Sequence, residues 1–294
     1  GDADAAGAAV VTRVVNTRAE LAEALADAHG PVGFVPTMGA LHEGHGSLMA
    51  HARQVSGTVV ASIFVNPMQF GPTEDLARYP RTLESDLDLC SAQGVDFVFA
   101  PSVEEVYPGG PPQVTIDPGP LATVMEGAAR PTHFHGVLTV VAKLFGLVRP
   151  DLAVFGQKDY QQLTLIRRMA ADLCFGIHIV GAPTIREADG LAMSSRNRYL
   201  DAQQRADAVA LSKALAAGRD AAVDGPAAVL AAATGVLQEY PGVALDYLEL
   251  RTPDLAPIPT NAAPPPSGEA RLLIAARVGT TRLLDNCAIT FPSD

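Results

Sequence analysis

From Val32 to about Pro183 the chain alternates short runs of β-branched and aromatic residues with longer stretches of helical spacing. The strand-like runs are Val32–Val35, Val59–Val65, Val95–Phe99, Leu152–Phe155 and Ile177–Val180. Ala19–Ala28 has the composition and apolar spacing of an amphipathic helix, and Tyr160–Leu173 reads as another. Gly136–Val148 is apolar apart from Thr139 and Lys143, which suits a buried crossover helix. Strands alternating with helices argue for βαβ units and a parallel sheet. The pattern predicts an α/β fold, with a doubly wound, Rossmann-like amino-terminal domain over residues 1–184. Ligands of such sheets sit beyond the carboxyl ends of the strands, where strand order reverses.

The pattern changes after Arg198. Ala202–Ala217 and Ala227–Glu239 read as Ala-rich helices, and Val243–Leu250 and Arg271–Arg277 alternate like half-buried strands. Pro253–Gly268, with Pro264-Pro265-Pro266, reads as a loop. This part predicts a smaller α+β domain over 185–294 that closes over the site, with a hinge near Thr184–Gly190. No internal repeat is evident.

Composition narrows the function. The 294 residues suffice for two domains, and 48% hydrophobic content with no Trp implies aliphatic cores. A net charge of −11 disfavours nucleic-acid backbone as a partner. No apolar run approaches the roughly 18 residues that span a bilayer. Gly1–Ala9 lacks the basic start and apolar core of a signal peptide, and the missing initiator Met admits a processed start. Cys90, Cys174 and Cys287 are widely spaced with no C-x-x-C pair, so reduced, mostly buried thiols in a cytoplasmic protein are expected.

The densest chemistry lies at Val35-Pro36-Thr37-Met38-Gly39-Ala40-Leu41-His42-Glu43-Gly44-His45. A strand turns through two glycines into a helix start, and two imidazoles three residues apart share one face. Backbone N–H groups at a helix start also suit an anion. Taken alone, the motif favours the plainer arrangement, one His capping a helix and the other sitting half buried. A second polar constellation, Met193-Ser194-Ser195-Arg196-Asn197-Arg198, favours a phosphate site, because hydroxyls and a guanidinium fork donate to phosphate oxygens. Lys158 follows a strand and precedes a helix, where it could offset transition-state charge. Gln69 and Gln162, read as amides at two strand ends, suit a substrate bearing hydroxyls and a carboxylate. Phe70–Ser85 has the composition of a mobile loop, either a lid over the site or a plain surface loop, and Asp86 and Asp88 read as a solvated helix face.

His42-Glu43-Gly44-His45 resembles the HxGH signature of the nucleotidyltransferase superfamily, and Met193-Ser194-Ser195-Arg196 resembles its partner loop over the ATP phosphates. Ile63-Phe64-Val65-Asn66-Pro67-Met68-Gln69-Phe70-Gly71, Tyr79-Pro80-Arg81-Thr82, Arg130-Pro131-Thr132-His133-Phe134 and Phe155-Gly156-Gln157-Lys158-Asp159-Tyr160-Gln161-Gln162 stand between them. Together, from about Val32 to Leu283-Leu284-Asp285-Asn286, they resemble the pantothenate synthetase family, the AMP-forming pantoate–β-alanine ligases. That family more often has Glu where Gln157 stands. The resemblance implies catalytic His42, His45, Lys158, Ser194, Ser195 and Arg196. It implies ATP contacts from these residues and from Met38, Gly39, Gly44, Gly156, Asp159, Ile185 and Met193, with Asp159 toward the ribose. It places pantoate at Pro36, Met38, Gln69, Gln162, Arg130 and His133, and adds β-alanine as second substrate and a homodimer. No protein metal ligand is expected, because Mg²⁺ would bind mainly through the ATP phosphates. Two other readings stay open: an adenylyl transferase acting on a phosphorylated substrate, and a nucleotide-binding regulatory module without catalysis.

Overall fold

The computed structural model describes residues 11–261 and 266–293. Gly1–Ala9 and the Pro264-Pro265 part of the expected loop lie outside the described residues. Two compact units divide the chain: one holds residues up to 156 together with 165–182, the other 157–164 together with 183–294.

The elements of the first unit are β1 (Arg13–Val15), α1 (Arg18–Ala26), β2 (Val32–Thr37), α2 (Glu43–Val55), β3 (Thr58–Ile63), α3 (Leu83–Ala92), β4 (Phe97–Phe99), α4 (Val103–Val106), α5 (Glu126–Ala129), α6 (His133–Val148), β5 (Leu152–Gly156), most of α7 (Tyr160–Asp172) and β6 (His178–Ala182). The sheet is parallel throughout and runs β1-β4-β3-β2-β5-β6. After β2 the chain builds outward through β3 and β4, then crosses to the other side of β2 for β5. Strand order therefore reverses between β2 and β5, and the Met38–His45 motif leaves the carboxyl end of β2.

Alternation along β2 covers both faces. Val35 packs with Met49, Ala52, Val59, Val98 and Val154. Phe34 points the other way, where its ring meets Phe145 of α6 edge-on at 6.3 Å. Gly33 fits because a Cβ there would stand 2.2 Å from Oγ of Ser56, the C-cap residue of α2. β1, too short to give a periodic signal, is an edge strand absent from the sequence reading. β4 begins at Phe97 rather than at the expected Val95, whose N–H instead closes the end of α3 on Cys90 O.

The second unit holds α8 (Ala202–Ala208), α9 (Ala210–Asp220), α10 (Pro226–Leu237), β7 (Val243–Arg251), β8 (Gly268–Val278) and β9 (Thr281–Phe291). Its antiparallel sheet runs β7-β8-β9. Leu211 and Leu215 of α9 and Val229 and Ala233 of α10 pack on Leu272, Ile274, Ile289 and Phe291. The expected continuous helix 202–217 is interrupted at Val209, which keeps near-helical angles of φ −64°, ψ −16°, so the break is a shift in hydrogen bonding. β9 was not anticipated, because Asp285 and Asn286 interrupt its apolar alternation. Of the three thiols Cys90 is buried and Cys287 partly so, but Cys174 is exposed, against the expected burial. Among the described residues no helix is long and apolar enough to cross a membrane.

α6 approaches the turn after β3 so closely that a Cβ on Gly136 would lie 2.4 Å from Met68 O, a backbone atom. Gly136→Ala is expected to lower stability by about 1–3 kcal/mol, as overpacking does, in urea unfolding. Gly146→Ala on the same helix meets nothing within 4 Å. It should be neutral or stabilising by up to about 1 kcal/mol.

Candidate active site

Gly39 and Ala40 both take left-handed backbone, with φ of +80° and +50°. This aims two consecutive N–H groups at one point, and the carboxylate there is Asp86 of α3. It accepts from Ala40 N at 3.0 Å, Leu41 N at 2.8 Å and Thr82 Oγ1 at 3.0 Å. Asp86 is 2% exposed, so it is no solvated helix face but the internal anion that shapes the turn. Asp88 is exposed, as expected.

The turn delivers His42 to the N-cap of α2. His42 Nδ1 accepts from Gly44 N at 3.1 Å, and His45 Nδ1 accepts from His42 N at 3.2 Å. The rings lie 4.1 Å apart, both half-buried. An Nδ1 that accepts a backbone N–H holds a lone pair, so each neutral ring carries its proton on Nε2. The capping role and the donor role are therefore one arrangement: the cap fixes the tautomer that donates.

A second network surrounds Gln69, which closes the short 3₁₀ turn Pro67–Gln69 after β3 and is 7% exposed. Asn66 Oδ1 accepts from Tyr107 Oη at 2.5 Å and Met68 N at 3.3 Å. Its Nδ2 donates to Gly136 O and to Gln69 Oε1, both at 3.1 Å. With its oxygen engaged, Gln69 turns its NH₂ toward Met38 Sδ, 3.3 Å away and a weak acceptor. Burial pushes the Tyr107 hydroxyl pKa upward, which keeps it a donor to Asn66. His133, the first residue of α6, places Nδ1 3.1 Å from Gln69 O; a carbonyl only accepts, so Nδ1 carries the proton. Its Nε2 lies 3.4 Å from Arg130 Nη1, and Arg130 Nε donates to Glu74 at 2.9 Å. Burial opposes ionisation of Glu74, but the Arg130 bond and charge outweigh it and hold the carboxyl below the usual range. Met38, Gln69, Arg130 and His133 thus come together, whereas Asn66, Tyr107 and Glu74 carried no separate signal in the sequence. Phe70 and Tyr79, on the expected lid, are buried with Ala40 beside Met38. Pro36 is the penultimate residue of β2, and Gly156 ends β5 opposite Ala182.

In the second unit, Lys158 and Asp159 form the 3₁₀ turn Gln157–Asp159, Lys158 half-buried and Asp159 exposed. Gln162 stands in the first turn of α7, not at a strand end. Ile185 O accepts from Met193 N at 2.9 Å, and Arg186 bridges to Ala192, making a small hairpin. Ser194 leaves this hairpin as N-cap of the turn Ser195–Tyr199, its Oγ accepting from Arg196 N at 3.2 Å. A hydroxyl that accepts a backbone N–H retains its own proton to donate.

A parallel sheet with a paired-imidazole HxGH turn at its order reversal defines an α/β enzyme that handles nucleotide phosphates. The pantoate–beta-alanine ligase family model matches residues 10–288. A pantothenate synthetase from a Nocardioides species is 61% identical over 93% of this chain and 84% of its own. The crystal structure of pantothenate synthetase from Thermus thermophilus superposes with TM-score 0.88 at 50% identity, covering 95% of this chain and all (100%) of its own. That of pantoate-beta-alanine ligase from Francisella tularensis, complexed with beta-gamma ATP and beta-alanine, gives TM-score 0.78 at 31% identity over 94% and 97%. The chain belongs to the pantoate–β-alanine ligase family, and its reaction is the family's: ATP-dependent condensation of (R)-pantoate with β-alanine through pantoyl adenylate, releasing AMP and pyrophosphate.

Asp86→Asn replaces a charged acceptor with an amide facing two N–H groups. A loss of about 1.5–3 kcal/mol is expected for hydrogen bonds to a charged group, read from the denaturant midpoint. Pantoate-dependent pyrophosphate release should fall further than the loss of folded protein explains.

Proposed function

We propose that His42, His45, Lys158, Ser194, Ser195 and Arg196 are the groups that bind and stabilise the ATP phosphates during adenylation. The observation that carries this reading is that both Nδ1 atoms of the histidine pair accept backbone N–H groups, which leaves Nε2 as the protonated nitrogen of each neutral ring. A neutral donor at the α-phosphate stabilises developing charge without competing for a proton. Gly39, Gly44 and Gly156 allow close approach of backbone to nucleotide, Ile185 and Met193 flank it, and Asp159 serves the ribose. Pantoate is held by Pro36, Met38, Gln69 and Gln162 within the region of Arg130 and His133. Gln69 offers donors to a substrate oxygen, and Met38 offers thioether surface to the substrate's methyl groups.

A carboxylate oxygen of pantoate attacks the α-phosphorus, the bond to the α,β-bridging oxygen breaks, and pyrophosphate leaves. The β-alanine amine then attacks the acyl carbon, loses a proton, and expels AMP. No protein nucleophile is needed, so the chain acts by positioning and electrostatics. The 70–85 segment serves as a lid that keeps water from the adenylate. Asp86 and Glu74 are engaged by protein donors, which fits Mg²⁺ carried chiefly by the triphosphate and its own waters. Bound there, Mg²⁺ would offset phosphate charge. The reading extends to a cytoplasmic homodimer without nucleic-acid partners, supported by the family resemblance and the net charge of −11.

Lys158→Ala is expected to slow pantoate-dependent pyrophosphate release by about 10²–10³-fold, the cost of one transition-state donor, with its unfolding midpoint unchanged. Near-normal release would remove Lys158 from the phosphate set. For His42→Ala, loss of the cap costs about 1 kcal/mol of stability. Adenylation should fall well beyond that, and losses of equal size would reduce His42 to its capping role.

A further inference from the structure

Adjacent residues on a strand point to opposite faces, and in β9 the two at Asp285-Asn286 are polar and each 4% exposed. On one face Asn286 Nδ2 donates to Gln157 O and Lys158 O, both at 2.9 Å. Its Oδ1 accepts from Arg271 Nη1 at 3.3 Å, and the Arg271 guanidinium lies 4.3 Å over the Tyr160 ring. Two carbonyls can only accept and a guanidinium can only donate, so the amide has one possible orientation. Asp at this position would set a carboxylate against two carbonyls, and an apolar residue would leave both without their donor. Toward the other face Asp285 takes Arg186 in a fork, Nη1 at 2.7 Å and Nη2 at 2.9 Å, and also accepts from Asn286 N at 2.8 Å. Arg186 in turn donates to Gly190 O at 3.0 Å and bridges to Ala192, which stabilises the hairpin from which Ser194-Ser195-Arg196 emerges. The Ser195–Tyr199 turn is tied back by Asn197 Nδ2 to Ala192 O at 3.0 Å.

We propose that Asp285 and Asn286 are positioning residues for adenylation. Asn286 holds the backbone that carries Lys158, and Asp285, through Arg186, holds the hairpin that carries Ser194, Ser195 and Arg196. One dipeptide sets the spacing of two phosphate-contacting segments that are distant in the chain. The proposal rests on the assignment of those segments to the ATP phosphates. It has a consequence that mere structural support lacks, because contacts to the departing pyrophosphate matter for forming the adenylate, whereas its attack by β-alanine retains only the α-phosphate.

The test compares two half-reactions in Asn286→Asp and Asp285→Asn: pantoate-dependent pyrophosphate release, and pantothenate formation from synthetic pantoyl adenylate and β-alanine without ATP. Adenylation is expected to fall on the order of a hundredfold, as small misplacements of reacting groups do, while the second half-reaction falls far less. Equal loss in both half-reactions, or unchanged adenylation, overturns the proposal. If either variant does not fold, Arg186→Lys decides, since it keeps the charge and loses the fork; it should show the same split. Lys158→Ala, run in parallel, separates the two levels. Adenylation that survives Lys158→Ala removes the phosphate assignment and the positioning proposal together. Adenylation lost in Lys158→Ala but intact in the β9 variants overturns the positioning proposal alone.

Discussion

The geometry of the first unit depends on one buried carboxylate. Ala40 sits at φ +50°, a left-handed conformation that costs a residue with a Cβ roughly 1–2 kcal/mol. The Asp86 carboxylate takes two hydrogen bonds from that turn, each worth about 1.5–3 kcal/mol to a charged acceptor, and a third from Thr82, the N-cap of its own helix. The bonds outweigh the strain, so the turn stays in a shape its own residues would not choose. From that shape follow the N-cap position of His42, the tilted contact of His45 with it and the tautomer of both rings. Gly39 is required on the same account, since a Cβ there would stand 3.0 Å from Asp86 Oδ2 at φ +80°.

The same logic of fixed polarity recurs at Gln69 and Asn286. In each case an amide network that could turn either way is fixed by backbone or charged groups that can only donate or only accept, Met68 N–H and Gly136 O in the first and Arg271 with two carbonyls in the second. Tyr107 and Met68 fill Asn66 Oδ1, which commits Asn66 Nδ2 to Gln69 Oε1 and leaves Gln69 presenting its NH₂. Arg271 fills Asn286 Oδ1 and commits Nδ2 to two backbone carbonyls. Preorganised donors need no reorientation when charge develops, which is where electrostatic catalysis gains most over water.

The parallel sheet was legible because Val32–Val35, Leu152–Phe155 and Ile177–Val180 are apolar runs with helical stretches between them. The motifs at His42, Lys158 and Ser194 were legible because residue type and spacing stay local. Asp86 was misread for the opposite reason: its partners, Ala40 and Leu41, are distant in sequence and offer backbone N–H groups, which leave no side-chain signal. β9 was hidden because Asp285 and Asn286 are polar where a strand core should be apolar. Gln162 was placed at a strand end because sequence periodicity does not resolve the 3₁₀ turn that intervenes after β5.

An acidic protein that acts on two anionic substrates looks electrostatically mismatched at first sight, but range decides the matter. At physiological salt the Debye length is about 8 Å, so most of the surface charge behind the net −11 is screened from a ligand in the site. What remains is short-range, and two carboxylates beside the proposed pantoate and HxGH groups are already committed. Asp86 is occupied by two amides and a hydroxyl, and Glu74 by Arg130. Burying an acid therefore costs the site little negative potential when each is matched to an internal donor. The groups proposed to meet phosphate or carboxylate oxygens are donors: imidazole Nε2–H, amide NH₂, hydroxyl, ammonium and guanidinium. A site built of donors whose own acceptors are internally satisfied selects oxyanions by hydrogen bonding, whatever the sign of the surface beyond it.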